Sequence, residues 1–332
     1  MLLSIESSCD DSSIAITDIA SKNLVFHQKI SQDSEHTPYG GVVPEIASRL
    51  HATQLPLILE KTKPFLKQVK AVAVTYTPGL SVTLLEGVTM AKALCLMLNI
   101  PLIGVHHLKG HIYSLFIEKE AIFPLDVLLV SGGHTLLLKA KNFAEMDICA
   151  KSLDDSFGES FDKVAKMLNL TYPGGPIVES YAQKGNPMRF AFTIPLSHYK
   201  DVAFSFSGLK NSVRLAIEEL KQQKNELSLQ DKYDICASFQ KTAIAHLVQQ
   251  CGKFLQYSKN LNFAVVGGAS ANLCLREALQ ELLGQNRHLY FAPLEFCSDN
   301  AAMIGRVGVE AYLNGVFSDL DLQVIPRTSE IL

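Results

Sequence analysis

Leu3 and Ile5 alternate with polar neighbours, 7–13 is a polar run, and Ile14 and Ile16 resume the alternation. This pattern predicts a β-hairpin opening the chain. The arrangement returns downstream, where Asp126-Val127-Leu128-Leu129-Val130 runs into Ser131-Gly132-Gly133-His134 and continues as Thr135-Leu136-Leu137-Leu138. After the first hairpin the periodicity predicts a helix over 43–66, a strand over 71–76, a helix over 81–98, a strand over 102–105 and a helix from His107. The second half predicts helices over 160–170, 207–223 and 231–257, a strand over 263–266, a helix after Asn272 and a strand around 289–291. Hairpins followed by alternating helices and strands indicate an α/β protein with a mixed sheet and covering helices in each half. A boundary near 118–124 separates an N-terminal lobe, 1–122, from a C-terminal lobe, 123–299, with 300–332 packing back on the first.

Composition narrows the class. A chain of 332 residues exceeds what one compact core organises, so two domains or a pseudo-duplicated unit is expected. With 48% hydrophobic and 19% charged residues, disorder is not a competing reading. The longest apolar candidate for a membrane span, around 90–103, is interrupted by Lys92 and ends at Pro101. Residues 1–5 lack the basic and apolar regions of a secretory signal, so a cytoplasmic protein with no membrane association is expected. Seven scattered cysteines, without a C-x-x-C pair, argue against a disulfide framework and against a thiolate zinc site. The net charge of −3 advertises no polyanion partner, so nucleic-acid contact requires a local patch or a second protein. The charge-rich stretch 221–226 reads as a solvated loop.

Candidate chemistry gathers in turns. Glu6-Ser7-Ser8-Cys9-Asp10-Asp11-Ser12-Ser13 carries more hydroxyls and carboxylates than a hairpin turn needs. It can offer hydroxyls and N–H groups to a phosphate or substrate, or be an ordinary polar turn. Ser131-Gly132-Gly133-His134 lets a backbone approach a phosphate closely, and two such turns would make a clamp. Gly267-Gly268-Ala269-Ser270-Ala271-Asn272 lies between a strand and a helix, where a ligand meets a helix N-terminus. No G-x-G-x-x-G or G-x-x-x-x-G-K-[ST] sequence occurs, which excludes Rossmann dehydrogenases and P-loop enzymes. Tyr172-Pro173-Gly174-Gly175-Pro176 follows the helix bearing Asp162, and is either a ribose and base contact or a rigid helix stop. His107-Leu108-Lys109-Gly110-His111 sets two imidazoles at i and i+4 on one helical face, a spacing that serves a metal or simple packing. Asp299 is the candidate third ligand, and a His₂Asp set suits Fe(II) or Zn(II) with positions left open. His106, His246 and His288 read as structural.

Together these motifs resemble one family over essentially the whole chain. Glu6-Ser7-Ser8-Cys9-Asp10, Tyr39-Gly40-Gly41-Val42-Val43-Pro44-Glu45, His107-Leu108-Lys109-Gly110-His111, Val130-Ser131-Gly132-Gly133-His134-Thr135, Phe161-Asp162-Lys163, Tyr172-Pro173-Gly174-Gly175-Pro176, Phe204-Ser205-Phe206-Ser207-Gly208-Leu209-Lys210, Gly267-Gly268 with Ser270-Ala271-Asn272, and Asp299-Asn300 occur in the order found in tRNA adenosine threonylcarbamoyltransferases. The resemblance implies a two-lobed actin-like, sugar-kinase-type ATPase fold built from duplicated RNase H-like units, with a nucleotide in the cleft. It implies a metal, iron before zinc, on His107, His111 and Asp299. It also implies that threonylcarbamoyl-AMP is held by Leu129, Val130, Ser131, Gly132 and Gly133 near its phosphate and by Asp162, Gly175 and Asn272 at its nucleoside. Implied partners are tRNA, an inactive paralogue and a small ATPase. Two departures stand out. Asp11-Ser12 replaces the usual Glu-Thr pair and keeps a carboxylate and a hydroxyl, and Thr77-Pro78-Gly79 replaces Gly-Pro-Gly.

The expected reaction is attack by the exocyclic amine of an adenine beside the anticodon on the carbamoyl carbonyl, with AMP expelled and Asp10 or Asp11 receiving the proton. The alternatives are a metal-dependent peptidase and an ATP-dependent small-metabolite kinase of the same fold. Helical H-E-x-x-H peptidases place a glutamate base directly after the first histidine, and here that position is Leu108.

Overall fold

The computed structural model describes residues 1–327. In chain order the elements are β1 (Leu2–Glu6), β2 (Asp11–Thr17), β3 (Leu24–Ser31), α1 (Asp33–His36), α2 (Pro44–Lys61), β4 (Ala71–Thr77), α3 (Ser81–Leu98), β5 (Leu102–His106) and α4 (His107–Tyr113). There follow β6 (Leu125–Val130), β7 (Thr135–Ala140), β8 (Met146–Lys151), α5 (Phe157–Met167), α6 (Gly174–Ala182), α7 (Ser207–Lys224), α8 (Leu229–Leu255), β9 (Asn262–Val266), α9 (Leu273–Leu283), β10 (His288–Phe291) and α10 (Ala301–Leu313). The chain divides into two compact units, the first containing Met1–Phe123, Asn142–Met146 and the chain from Ala292 onward, the second Pro124–Lys141 and Asp147–Phe291.

The first unit is built on a five-stranded sheet of order β3-β2-β1-β4-β5. β1 is central, antiparallel to β2 and parallel to β4, which is parallel to β5. A central strand is covered on both faces, and every residue of β1 is buried, Ser4 included. The Ser4 hydroxyl donates to Ala301 O at the start of α10, 2.7 Å away. Leu3, Ile5, Ile14, Ile16, Val72 and Val74 form the core with Leu55 and Ile58 of α2 and Val88, Ala91 and Leu94 of α3. By length and composition α3 is apolar enough to cross a bilayer, Lys92 notwithstanding, but this face of it lines the core. Arg306 of α10, 1% exposed, donates to Phe116 O and Lys119 O and pairs with Glu310, which ties α10 to the segment after α4.

The second unit repeats the plan. Its sheet order is β10-β9-β6-β7-β8, with β6 antiparallel to β7 and parallel to β9. Read from the outer hairpin strand inward, both sheets follow one topology, the duplication that the two hairpin patterns predict. Its core joins Leu128 and Val130 to Phe157, Phe161, Phe204, Phe206 and Phe239.

Local chemistry explains the boundaries that differ from the periodicity. The helix expected over 43–66 stops at Lys61, two residues before Lys63-Pro64, and a 3-10 turn Lys63–Gln68 follows. The helix expected from Ser160 begins at Phe157, because the Ser156 hydroxyl caps it by accepting the Glu159 N–H. Five elements, β3, α1, β8, α6 and α10, lie outside the predicted set.

Gly267 closes β9 at φ 92°, and a Cβ there would stand 2.4 Å from Val130 O. Both backbone strain and overlap therefore demand glycine. Gly267→Ala is expected to destabilise the second unit by about 2–4 kcal/mol, read as a lower urea midpoint. An unchanged midpoint would contradict this account.

Candidate metal centre and substrate turns

Parallel strands β1, β4 and β5 of the first unit end side by side, and each contributes a polar residue at its carboxyl end: Glu6, Thr75 and His106. His106 closes β5 and caps α4 by accepting the Leu108 N–H. That cap starts the helix at His107, which puts His107 and His111 on one face, their ring centroids 4.7 Å apart at 80°. Gly110 lets α4 lie close to α10, since a Cβ there would meet Ile304 Cδ1 at 2.7 Å. Asp299 immediately precedes α10, whose first turn Asn300 caps by accepting the Met303 N–H at 2.9 Å. The Asn300 amide also donates to Ser298 O at 2.8 Å, which fixes the backbone around Asp299.

Asp299 Oδ1 lies 3.2 Å from His111 Nε2 and 3.4 Å from His107 Nε2, and the three potential ligand atoms lie within 4.8 Å of one another. His111 is fully buried, and its Nε2, although near Asp299, makes no well-aligned hydrogen bond among the described residues. Two imidazoles and one carboxylate fit a divalent transition metal with room for further ligands. Behind His107 stands Glu6, a carboxylate with no exposed surface. His107 Nδ1 is 3.2 Å from Glu6 Oε2 and 3.2 Å from the Ser8 hydroxyl. Glu6 also accepts from Thr75 Oγ1 at 2.6 Å and from the Ser8 N–H at 2.7 Å. An Nδ1–H donated to the Glu6 carboxylate leaves the Nε2 lone pair free for a metal beside Asp299, the carboxylate–histidine arrangement that orients metal ligands.

Burial opposes charge here, yet Asp299 and Glu6 outweigh it and hold His107 well above the usual histidine range. Burial likewise pushes Asp299 and Glu6 up, and the attraction of His107 more than offsets it, leaving both carboxyls below their ordinary values.

The polar turn reads differently in the structure than in the sequence. Its serine hydroxyls are turned into the protein. Ser7 donates to Thr83 O, Ser8 meets His107, Ser12 bonds His51 and Gln54, and Ser13 bonds Gln28 O; all four serines are buried. The cause is that Ser12 and Ser13 belong to β2, a strand covered on both faces. Asp10 and Asp11 stay partly exposed. Burial raises Asp10, with Asp299 adding to it. Burial pushes Asp11 up to about 7, against the pull of Lys29, whose Nζ is 3.0 Å from Asp11 Oδ2. The Cys9 thiol is raised well above its ordinary range by burial and by Asp10.

In the second unit Leu129 and Val130 are buried strand residues, so their side chains offer nothing to a ligand and their part is to place the turn that follows. Ser131 closes that turn, its N–H donating to His134 O at 2.9 Å and its hydroxyl accepting the His134 N–H at 3.1 Å. Gly132 and Gly133 are exposed, and a Cβ on either would meet no atom within 4 Å. Gly175 is open in the same sense, whereas a Cβ on Gly174 would stand 2.7 Å from Asp162 Cα. The protein's own packing thus requires Gly174 and Gly267 but not Gly132, Gly133 or Gly175. Asp162 accepts the Gly174 N–H at 2.7 Å, holding the start of α6 against α5. Asn272 caps α9 by accepting the Leu275 N–H at 2.9 Å and donates to Gln240 Oε1 at 3.0 Å; its amide keeps a second N–H.

The structure therefore brings His107, His111 and Asp299 together and clusters Asp10 and Asp11 in the same unit, while Ser131, Gly132, Gly133, Asp162, Gly175 and Asn272 belong to the other. Sequence reasoning missed Glu6 as the partner of His107, and it missed Lys29. A carboxylate closing the first strand, where the polar run begins, was the available signal for Glu6. Leu108, where a peptidase would carry its base, is 4% exposed and packed in the interior.

Comparison with known proteins gives a consistent result. The family description tRNA N6-adenosine threonylcarbamoyltransferase (TsaD) matches residues 23–306. A protein of that name from Wolinella succinogenes is 63% identical over 334 residues, covering 100% of both chains. Another from Nitratiruptor sp. is 62% identical, covering 99% of each. Among solved structures, full-length HypF in its phosphate- and nucleotide-bound form superposes with a TM-score of 0.62 at 15% identity, over 96% of this chain and 47% of that one, so this chain spans about half of HypF. Component A of the (R)-2-hydroxyglutaryl-CoA dehydratase of Acidaminococcus fermentans gives 0.52 at 15% identity, over 93% and 95%. These structural likenesses show the fold alone, the actin-like ATPase type. Joined to full-length identities above 60%, they show that the chain belongs to the tRNA N6-adenosine threonylcarbamoyltransferase family, transferases that modify tRNA.

Proposed function

We propose that the chain takes the threonylcarbamoyl group from threonylcarbamoyl-AMP and places it on the exocyclic amine of an adenine beside the anticodon of tRNA, releasing AMP. The observation that carries this reading is the donor set of two buried histidines, His107 and His111, with Asp299, backed by Glu6, in a chain whose family acts on tRNA adenosine. An iron(II) ion held by these three residues, with zinc(II) as the alternative, would supply Lewis acidity toward ligand oxygens. The open backbone of Ser131-Gly132-Gly133 receives the phosphate of the adenylate, following Leu129 and Val130. Asp162, Gly175 and the remaining N–H of Asn272 contact its nucleoside. The amine nitrogen attacks the carbamoyl carbon, a C–N bond forms, and the C–O bond to the phosphate breaks with its electron pair leaving on AMP. The amine proton passes to Asp11, with Asp10 beside it keeping the turn acidic. A mixed anhydride already carries a good leaving group, so positioning and charge stabilisation are the protein's main contributions. The net charge of −3 supports a need for companion proteins, a related paralogue and a small ATPase, in engaging tRNA. The reaction belongs in the cytoplasm, with its tRNA substrate.

Purified chain with threonylcarbamoyl-AMP, tRNA and the two companions should yield threonylcarbamoyladenosine in nuclease digests of the tRNA. Its absence from the complete mixture would overturn the reading. Protein purified without oxygen should hold about one equivalent of metal, lost in His107→Ala, His111→Ala and Asp299→Ala. Glu6→Gln should weaken metal affinity by roughly 10- to 100-fold while leaving the fold intact. Unaltered affinity would remove Glu6 from the centre.

The pH dependence has a definite sign. As acceptor, Asp11 must be ionised, and its carboxyl is pushed up to about 7, so the transfer rate should fall as pH drops through that value and level off above it. A rate flat from pH 6 to 8 would exclude Asp11 as the base.

A further inference from the structure

Lys29 lies on β3 opposite Ser13, and its side chain runs across the sheet face to Asp11, near the start of β2. Its Nζ donates to Asp11 Oδ2 at 3.0 Å and to the Ser298 hydroxyl at 2.9 Å. Ser298 is the residue before Asp299, so one ammonium joins the acidic turn to a segment 269 positions beyond Lys29. The lysine side chain is 26% exposed and the Asp11 side chain 14%, so the pair is mostly sheltered from water. Sheltering an ion pair costs hydration that its attraction only partly returns, and fixing a lysine between two partners costs side-chain entropy. Stability alone gives this contact little purpose.

We infer that Lys29 is a positioning residue for the transfer, bracing the Asp11 carboxylate against the segment that carries Asp299. The inference rests on Asp11 acting as the proton acceptor. With Oδ2 engaged by the ammonium, Oδ1 is the oxygen left to take the amine proton, and Lys29 keeps its own proton throughout. The charges facing Asp11 are Lys29, which favours the carboxylate, and Asp299 and Asp10, which oppose it. Removing Lys29 leaves Asp11 both loose and unbalanced.

The test is a double-mutant cycle in the reconstituted transfer reaction. Lys29→Met keeps the length of the stem and should lower kcat by about 10- to 100-fold. The KM values for adenylate and tRNA should stay within about twofold, and bound metal should be unchanged. Lys29→Arg should recover most of the rate. Lys29→Met added to Asp11→Asn should be no slower than Asp11→Asn alone. Wild-type kcat in Lys29→Met, or a full additional penalty on the Asp11→Asn background, overturns the inference. Should Lys29→Met fail to fold, Ser298→Ala removes only the second contact and should lower kcat severalfold; wild-type kcat there overturns the brace. Full activity in Asp11→Asn instead sinks the reading of Asp11 as base, whereas an inactive Asp11→Asn beside a fully active Lys29→Met sinks only the role of Lys29.

Discussion

The hydrogen bond between buried Glu6 and His107 constrains the first unit more than any other contact. A carboxylate without exposed surface is costly unless it is paired and hydrogen-bonded, and Glu6 receives the Ser8 N–H, the Thr75 hydroxyl and the His107 ring. These partners come from the turn after β1, from β4 and from the start of α4. They coincide only if β1, β4 and β5 are parallel, adjacent and in register, with Ile5 opposite Val74 and Thr75 opposite Val105. The sheet order thus serves the site: a slip of one residue would swing Glu6 or Thr75 to the other face. Asp299 closes the arrangement from the far side of the ring, so that His107 stands between two carboxylates.

The duplicated topology explains why the two units differ chemically at corresponding places. Ligands in open α/β sheets gather at the carboxyl ends of parallel strands. In the first unit those ends carry Glu6, Thr75 and His106, leading into His107. In the second they carry Val130 and Val266, leading into Ser131-Gly132-Gly133 and Gly267. Charged side chains suit a cation, and bare backbone N–H groups suit an anion. One fold, used twice, so presents one end of each kind.

How much of this was legible depended on whether a signal was local. Both hairpins, the helix start at His107 and the i, i+4 histidine pair are short-range patterns, and they stand as the sequence indicates. Asp299 was found by its position after a strand, and the structure sets it beside both histidines. Glu6 is 101 residues from His107, and no periodicity reports a pair at that distance. β3 was missed because it is half-buried along most of its length and does not alternate. α10 is buried nearly all round and contains Gly305 and Gly308, which are poor helix formers but lie against Ser4 and Ala73, where a Cβ would overlap. α6 begins Gly174-Gly175-Pro176, which reads as a turn, yet proline in a first helical turn forfeits no hydrogen bond.

The serine-rich turn is consistent with the direct transfer proposed above. A covalent relay would need a nucleophile on the protein, and the turn contains five hydroxyl or thiol groups that look suited to it. The serine hydroxyls are engaged with Thr83 O, His107, His51, Gln54 and Gln28 O, which fixes the turn against the sheet and α2. The Cys9 thiol, raised by burial and Asp10, holds its proton far more tightly than a catalytic thiolate can. What remains accessible are the carboxylates of Asp10 and Asp11, groups suited to accept a proton. A turn whose accessible groups are carboxylates fits the proposed reaction, in which the incoming amine itself attacks an already activated carbonyl.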